Sequence, residues 1–208
     1  MSDTKENILL VSLRLFARDG YEAVSVSRIS GELGITKGAL YKHYKNKRDI
    51  FDSIVARSAQ LDKERALAFG VPADTFGNAP DSYQYTEWDN IRRFTLAQYR
   101  FWTTDEFLSS FRRMLSLEQY RNLEMRELYD DCIMGGPVKY MEDIFRKMMD
   151  RGILKKDDPE QLAIEYFAPM FLLISMSDSG IPHAAAESRL EAHINRFIQS
   201  NATLPEKN

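Results

Sequence analysis

A short run of basic, small and hydroxyl-bearing residues near the N-terminus has the composition of a polyanion-binding surface. Residues 36–48 include five Lys or Arg and no Asp or Glu. Residues 1–50 carry nine basic and six acidic residues, a net charge of +3, so the rest of the chain carries −6. A basic surface on an otherwise acidic chain attracts polyanions at one place and repels them elsewhere. By charge alone, however, an ordinary solvated surface is the simpler interpretation.

Two short helices joined by a tight turn are predicted to position this run. Ser25 can cap the first helix, predicted over residues 26–33, because its hydroxyl can accept from the free N–H groups of the next turn. Gly34 ends that helix, since glycine adopts the left-handed conformation without Cβ strain. Thr36 can cap the second helix, predicted over residues 37–44. These lengths and this joint are typical of a helix-turn-helix.

The beginning of the second helix has side chains suited to DNA. Gly38 and Ala39 are small, so the backbone can approach the floor of the major groove, and Lys37 can reach a base edge or a phosphate. The helix N-terminus also offers unpaired N–H groups to phosphate. Further hydroxyl, imidazole and ammonium donors follow at Tyr41, Lys42, His43, Tyr44 and Lys47. Phosphate contacts from such donors position a protein without recognising sequence.

Three stretches resemble the N-terminal domain of the tetracycline-repressor (TetR/AcrR) family. They are residues 15–21 (LFARDGY), 25–30 (SVSRIS) and 33–47 (LGITKGALYKHYKNK). The likeness covers roughly residues 5–55 and includes lengths, gaps and residue classes. It departs from the family at Ser30 and Gly31, where alanine and a larger helix former are usual, and a mid-helix glycine costs about 1 kcal/mol.

The resemblance implies a two-domain, all-helical homodimer that binds a palindromic operator, with a small-molecule effector in its C-terminal domain. Residues 1–48 are the expected DNA-binding domain, and residues 49–208 the expected effector-binding and dimerisation domain. The residues at DNA-contacting places of the family are Ser25, Thr36, Lys37, Gly38, Ala39, Tyr41, His43, Tyr44 and Lys47. Lys42 is added to this set because of its charge.

The remaining sequence also has helical periodicity, so an all-α fold without strands is predicted. Further helices are expected over residues 4–18, with Thr4 as cap, and over 47–67, 88–102, 105–115, 117–134 (capped by Ser116), 138–151, 159–176 and 184–200. Residues 69–87 contain helix breakers and are expected to form a loop or a short irregular element.

Large aromatic side chains in this second part can enclose an apolar effector, although each is by itself more typical of a core. The expected pocket residues are Trp88, Thr95, Gln98, Tyr99, Trp102, Phe107, Phe111, Tyr129, Tyr166 and Met170. The last two long helices are implied to form a four-helix bundle between two chains. Their expected interface residues are Leu172, Leu190, Ile194, Phe197 and Ile198.

Several other classes of protein fit the sequence poorly. A single cysteine, Cys132, excludes an internal disulfide. No leader segment or membrane span is expected, which favours the cytoplasm. No catalytic motif, metal-ligand spacing or phosphate loop is recognisable, so we expect no cofactor and no enzyme. The leading hypothesis is a ligand-relieved transcriptional repressor. An interaction or sensor protein of the same fold that does not bind DNA, and an all-α enzyme, stay open as alternatives.

Overall fold

The computed structural model describes residues 3–121 and 123–203 of the 208-residue chain. These residues form α-helices and one short 3-10 helix, Pro80–Tyr85, with no β-strand in the described part of the chain. The α-helices are α1 Asp3–Asp19, α2 Val26–Glu32, α3 Lys37–Tyr41, α4 Lys47–Phe69, α5 Trp88–Thr104, α6 Glu106–Glu118, α7 Leu123–Ile133, α8 Gly135–Asp150, α9 Pro159–Asp178 and α10 His183–Asn201. The predicted all-α fold is confirmed.

The chain divides into two compact units. The first combines the residues up to Leu61 with Asp105–Asp130, and the second combines Asp62–Thr104 with the residues from Asp131 onward. The division therefore falls inside α4 and α7. The functional division predicted at residue 48 stays a prediction.

The core of the first unit lies where α1 packs against α2 and α6. Ile29 of α2 and Leu40 of α3 are fully buried, which holds the two short helices together. The ring of Tyr21 lies between Phe16 and Phe51, with centroid distances of 5.1 and 5.2 Å. Burial of these apolar side chains fixes the turns that carry the exposed residues of the unit.

In the second unit, α9 packs against α8, α10 and α5, and α10 also packs against α5. Aromatic side chains fill the space between these helices. Phe145 and Phe197 stack with centroids 5.6 Å apart, and Tyr166 meets both rings edge-on. The buried hydroxyl of Tyr166 hydrogen-bonds to Thr95 Oγ1 at 2.9 Å, whereas the buried Nε1 of Trp88, which packs on the same rings, has no partner among the described residues.

Four predicted helix boundaries or caps are wrong. The second helix of the helix-turn-helix ends at Tyr41 rather than Tyr44, because His43 N donates to Leu40 O in a tighter turn that directs the chain toward α4. Ser116 does not cap a helix; its hydroxyl donates to Arg112 O inside α6.

Helix α8 already begins at Gly135, and a Cβ on Gly136 would collide with the carbonyl oxygen of Asp131. Thr4 lies inside α1 and is therefore not its cap.

Candidate functional site

The cap residues of α2 and α3 set the geometry of the helix-turn-helix. Ser25 Oγ accepts from Arg28 N at 3.2 Å, and Thr36 Oγ1 accepts from Ala39 N at 3.1 Å. Both caps were predicted from sequence, and both begin their helices as expected. Gly34 adopts φ +64° between the two helices, in the left-handed region that favours glycine. The turn therefore follows from local sequence.

The residues around α3 form an exposed surface with basic and hydroxyl-bearing side chains. We call this set the α3 surface: Thr36, Lys37, Gly38, Ala39, Tyr41, Lys42 and His43. Ala39 and His43 are partly exposed and the others are exposed, with Tyr41 49% accessible. Neither Lys37 nor Lys42 forms an ion pair with any residue in the described ranges. Their charges are therefore available to a polyanion.

Tyr44 does not belong to this surface. Its side chain is only 2% exposed, and its hydroxyl donates to Lys5 O at 3.2 Å. Burial raises the pKa of Tyr44 to about 12, with a further increase from the charge of Glu6. The ring packs inside the first unit because α3 ends before it. This arrangement argues against the predicted contact of Tyr44 with DNA and makes the residue a support for the turn.

Lys47 is partly buried by contacts inside the first unit. Its ammonium donates to Tyr21 O at 2.9 Å and lies 4.2 Å from the centroid of the Tyr21 ring. Glu22 forms a weaker ion pair with it at 3.7 Å, and the Lys47 side chain is 22% exposed. An ammonium has three N–H donors, so these contacts leave donor capacity for a phosphate. The predicted DNA contact of Lys47 stays a prediction.

The residues predicted to surround an effector are divided between the two units. Phe107, Phe111 and Tyr129 belong to the first unit. The other seven belong to the second unit, namely Trp88, Thr95, Gln98, Tyr99, Trp102, Tyr166 and Met170. In the second unit, Tyr99 pairs its hydroxyl with Ser177 Oγ at 2.7 Å, in addition to the pair between Thr95 and Tyr166. The role of these residues in effector binding stays a prediction.

A buried guanidinium beside Gln98 was missed by the sequence analysis. Arg65 of α4 is 7% exposed, donates to Gln98 Oε1 at 2.9 Å and pairs with Asp62 Oδ1 at 2.6 Å. It also lies 4.6 Å from the ring of Phe101. The spacing of Asp62 and Arg65, three residues apart on one helix, is a sequence signal for a pair, but burial could not be inferred from it.

Three of the five predicted dimer-interface residues are covered by their own chain. Leu190 and Ile194 are fully buried and Phe197 is 6% exposed, because α10 packs these side chains against α5 and α9. The sequence places these residues on one apolar face of α10 but does not show what covers that face. Leu190, Ile194 and Phe197 therefore cannot form an exposed interface. Ile198 is partly exposed, and Leu172 is 60% exposed on α9.

The structure also bears on three further predictions from the sequence, which concern metal ligands, the cysteine and membrane-spanning helices. Among the described residues, no group of three or more His, Cys, Asp or Glu is arranged to hold a metal ion. Cys132 is partly buried, and burial raises the pKa of its thiol to about 12, which keeps it protonated near neutral pH. Within the described ranges, no helix is long and apolar enough to cross a bilayer.

Residues 8–54, which contain α2, α3 and the α3 surface, match the model of the tetR family of bacterial regulatory proteins. This region of the chain is therefore similar to the tetR family of bacterial regulatory proteins. The resemblance found in the sequence is thereby confirmed.

Three bacterial transcriptional regulators are similar to a short stretch of this chain. The transcriptional regulator AcrR of Shigella flexneri is 42% identical over 52 residues, which are 25% of this chain and 24% of AcrR. The repressor BepR of Brucella suis is 37% identical over 66 residues, 32% of each chain. For YerO of Bacillus subtilis, identity is 47% over 47 residues, 23% of this chain and 16% of YerO. The chain thus matches a third or less of each relative's length.

Solved structures match over nearly the whole chain at low identity. The complex of SmeT with triclosan has a TM-score of 0.70 and 17% identity, covering 98% of this chain and 96% of SmeT. A regulator from Saccharomonospora viridis in complex with choline has a TM-score of 0.66 and 21% identity, covering 98% and 100%. At this level of identity the likeness shows a shared fold.

Proposed function

We propose that this chain is a DNA-binding transcriptional repressor whose release from its operator is caused by a small molecule. The observation that carries the proposal is the α3 surface: exposed, unpaired lysines beside small residues at the beginning of a capped helix, inside the region that matches the TetR family. Small residues permit close approach of the backbone, and the lysines supply donors. The cytoplasm, where operator DNA is located, is the compartment that this proposal requires.

In this proposal α3 is the recognition helix of a helix-turn-helix and enters the major groove by its N-terminal residues. Lys37 meets base edges, while Tyr41, Lys42 and His43 donate to phosphates. Ser25 and Thr36 use their hydroxyl oxygens as caps, and each hydroxyl hydrogen can still be donated to a phosphate. Base contacts supply specificity, and phosphate contacts fix the orientation of the domain.

A mobility-shift titration with DNA from upstream of the protein's own gene tests this function. We expect wild-type chain to bind with a dissociation constant of about 10 nM or less at physiological salt. Replacing both Lys37 and Lys42 by Ala should abolish binding in this range. The matched control replaces Lys63 and Lys156, which are exposed in the second unit. Equal losses in the two double variants would contradict a role for the α3 surface.

The second unit is the proposed place of the effector. Its helices enclose several aromatic rings and few charges, which suits a mainly apolar molecule oriented by a few hydrogen bonds. The pairs Thr95–Tyr166 and Tyr99–Ser177 offer hydroxyls for such bonds. SmeT was solved with triclosan and the S. viridis regulator with choline. Both are small organic molecules, and the mainly apolar triclosan supports the proposed class of ligand, whereas choline is a small organic cation.

A thermal-shift screen is expected to detect apolar or amphipathic compounds that stabilise the protein. A ligand at a hundred times its dissociation constant adds about 2.7 kcal/mol, which raises the melting temperature of a chain this size by roughly 5–10 °C. A Thr95→Val variant should retain its fold and show a smaller shift with the same compounds. If only polyanions such as nucleotides or sugar phosphates stabilise the protein, the proposed effector class is wrong.

We further infer a homodimer that uses the outward face of α9 in place of the buried residues of α10. Ile164 and Leu172, eight residues apart on α9, are 43% and 60% exposed. Residues at this spacing lie on one face of a helix, so the two exposed side chains form one apolar patch that a partner chain could cover. An isologous dimer would also match the two-fold symmetry of a palindromic operator.

Light scattering of the wild-type protein at micromolar concentration should give roughly twice the chain mass of 24.1 kDa. Replacing Leu172 by Lys should shift the protein to the monomer, because a buried interface cannot accommodate an unpaired charge. The matched control is Leu67→Lys on α4, where the native leucine is 64% exposed. A wild-type monomer, or dissociation by both variants, would contradict an interface at this face of α9.

A further inference from the structure

The C-terminal end of α6 makes a buried polar contact with the turn between α1 and α2. Glu118 is fully buried, and its Oε1 accepts from Tyr21 N at 2.9 Å and from Arg121 Nη1 at 3.1 Å. Among the described residues, Glu118 Oε2 has no hydrogen-bond partner. A buried carboxylate is costly unless it is paired, so both the position of Glu118 and the position of Tyr21 are constrained by this one contact.

The glycine at position 20 permits the side chains of Glu118 and Arg121 to lie directly against the turn between α1 and α2. Gly20 has φ +88°, and a Cβ built on it would lie 2.5 Å from Arg121 Nη1 and 2.7 Å from Glu118 Oε1. Any side chain there would displace the carboxylate or the guanidinium. The turn is therefore shaped to receive the end of α6.

Tyr21 connects this contact to Lys47. The N–H of Tyr21 is held by Glu118, while its carbonyl oxygen accepts from Lys47 Nζ at 2.9 Å. The Tyr21 ring, 8% exposed, lies under the same ammonium at 4.2 Å. Tyr21 thus holds the Lys47 ammonium through its carbonyl oxygen and its ring, and Glu118 holds the main chain of Tyr21.

Two further ion pairs in this unit join α6 to α1 and α7 to α4, but their side chains are exposed. Arg14 pairs with Glu106, and Arg48 pairs with Glu124 at 2.5 Å. All four of these side chains are more than half exposed. Exposed pairs contribute little because water and salt screen them. The Glu118 contact, in contrast, is buried and reaches Tyr21, which holds the candidate DNA contact Lys47.

We propose that Glu118 is a positioning residue for DNA binding, which holds the Lys47 ammonium in place for a phosphate by fixing the Tyr21 main chain. This inference depends on the proposed DNA-binding function. Glu118 itself touches no DNA. Its replacement acts through Lys47, so the effects of the two residues on DNA affinity are coupled rather than additive.

The DNA-affinity test is a double-mutant cycle on the full chain with Glu118→Ala, Lys47→Ala and the combined variant. Alanine removes the oxygen that accepts from Tyr21 N. We expect Glu118→Ala to weaken binding to the upstream DNA about tenfold in the wild-type background, and less than about twofold when Lys47 is already Ala. Glu106→Ala, which removes the other α6 carboxylate, is the matched control and should cost less than about twofold. Additive losses would show that Glu118 acts only through stability and would overturn the proposal.

A second measurement needs no DNA and so separates this inference from the proposed function. Limited acetylation followed by peptide mass analysis reports how accessible each ammonium is. Relative to exposed Lys42, Lys47 should be several-fold protected in the wild type and should lose that protection in Glu118→Ala but not in Glu106→Ala. Glu118→Asp keeps the charge but its shorter side chain does not reach Tyr21 N, so it replaces the Ala variant if that variant loses its helical circular dichroism. Unchanged protection of Lys47 in a folded Glu118 variant would overturn the inference, whether or not the protein binds DNA.

Discussion

A Gly38→Leu variant is expected to fold at least as stably as the wild type and to bind operator DNA about a hundredfold more weakly or worse. A Cβ on Gly38 would have Thr36 Oγ1, 3.8 Å away, as its nearest neighbour outside adjoining residues. The free protein therefore has room for a side chain, and leucine favours helix over glycine by roughly 0.8 kcal/mol. In the groove the same side chain would separate α3 from the bases at both half-sites, with a loss of about 1–3 kcal/mol for each base contact.

The matched control is Gly31→Leu in α2. Gly31 is exposed and a Cβ there would meet nothing within 4 Å, so the gain in helix propensity is the same while the α3 surface is unchanged. Urea unfolding measures stability, and fluorescence anisotropy with labelled operator measures affinity. If Gly38→Leu binds DNA as well as Gly31→Leu does, the backbone of α3 does not approach the groove floor.

Replacing Lys37 and Lys47 by Ala in separate variants should give two different patterns of loss. Lys37→Ala is expected to change which operator sequences are preferred, because the exposed lysine at the beginning of α3 is assigned to base edges. Lys47→Ala is expected to weaken binding to all sequences about equally. A dimer would lose two phosphate contacts, so the slope of log K against log salt should flatten by about 1.8 units.

Titrations of both variants against the operator and its single-base variants, at several salt concentrations, distinguish these patterns. Lys47→Ala also removes the contacts with Tyr21, so each titration is made well below the melting temperature of the variant. An unchanged salt slope for Lys47→Ala would contradict its phosphate contact. An unchanged order of preferred sequences for Lys37→Ala would contradict its contact with bases.

The helix-turn-helix could be predicted from sequence because its determinants are local. Ser25 and Thr36 cap the helices that follow them, and Gly34 supplies the positive φ between the helices. Each of these features depends on residues within a few positions along the chain. The spacing of small and basic residues then identified the exposed surface, since α3 is too short to bury more than Leu40.

Long-range contacts explain what the sequence could not predict. Periodicity placed Leu190, Ile194 and Phe197 on one apolar face of α10 but could not tell whether its own chain or a partner covers it. Tyr44 and Lys47 have the side chains of DNA contacts, yet Tyr44 is buried in the first unit and Lys47 is bound to Tyr21.

The contact of Glu118 in α6 with Tyr21 could not be predicted for the same reason. Glu118 and Tyr21 are 97 residues apart in the chain, and a glutamate near a helix end has no local signal for burial. Gly20, which follows α1, has no Cβ and so makes room for the end of α6, a role that depends on the same distant contact. Phe107 and Phe111 share a helix with Glu118 and were assigned by composition to an effector pocket, although their helix belongs to the first unit.

The central claim is that the α3 surface recognises a DNA sequence, and a competition titration tests it most directly. Labelled DNA from upstream of the protein's own gene is bound at 0.15 M salt and displaced either by the same unlabelled DNA or by random DNA of equal length. A sequence-recognising regulator should prefer the upstream DNA by about 10³-fold or more, and Gly38→Leu should remove that preference. Equal displacement by the two competitors would contradict the claim, because a basic surface without sequence recognition binds both alike.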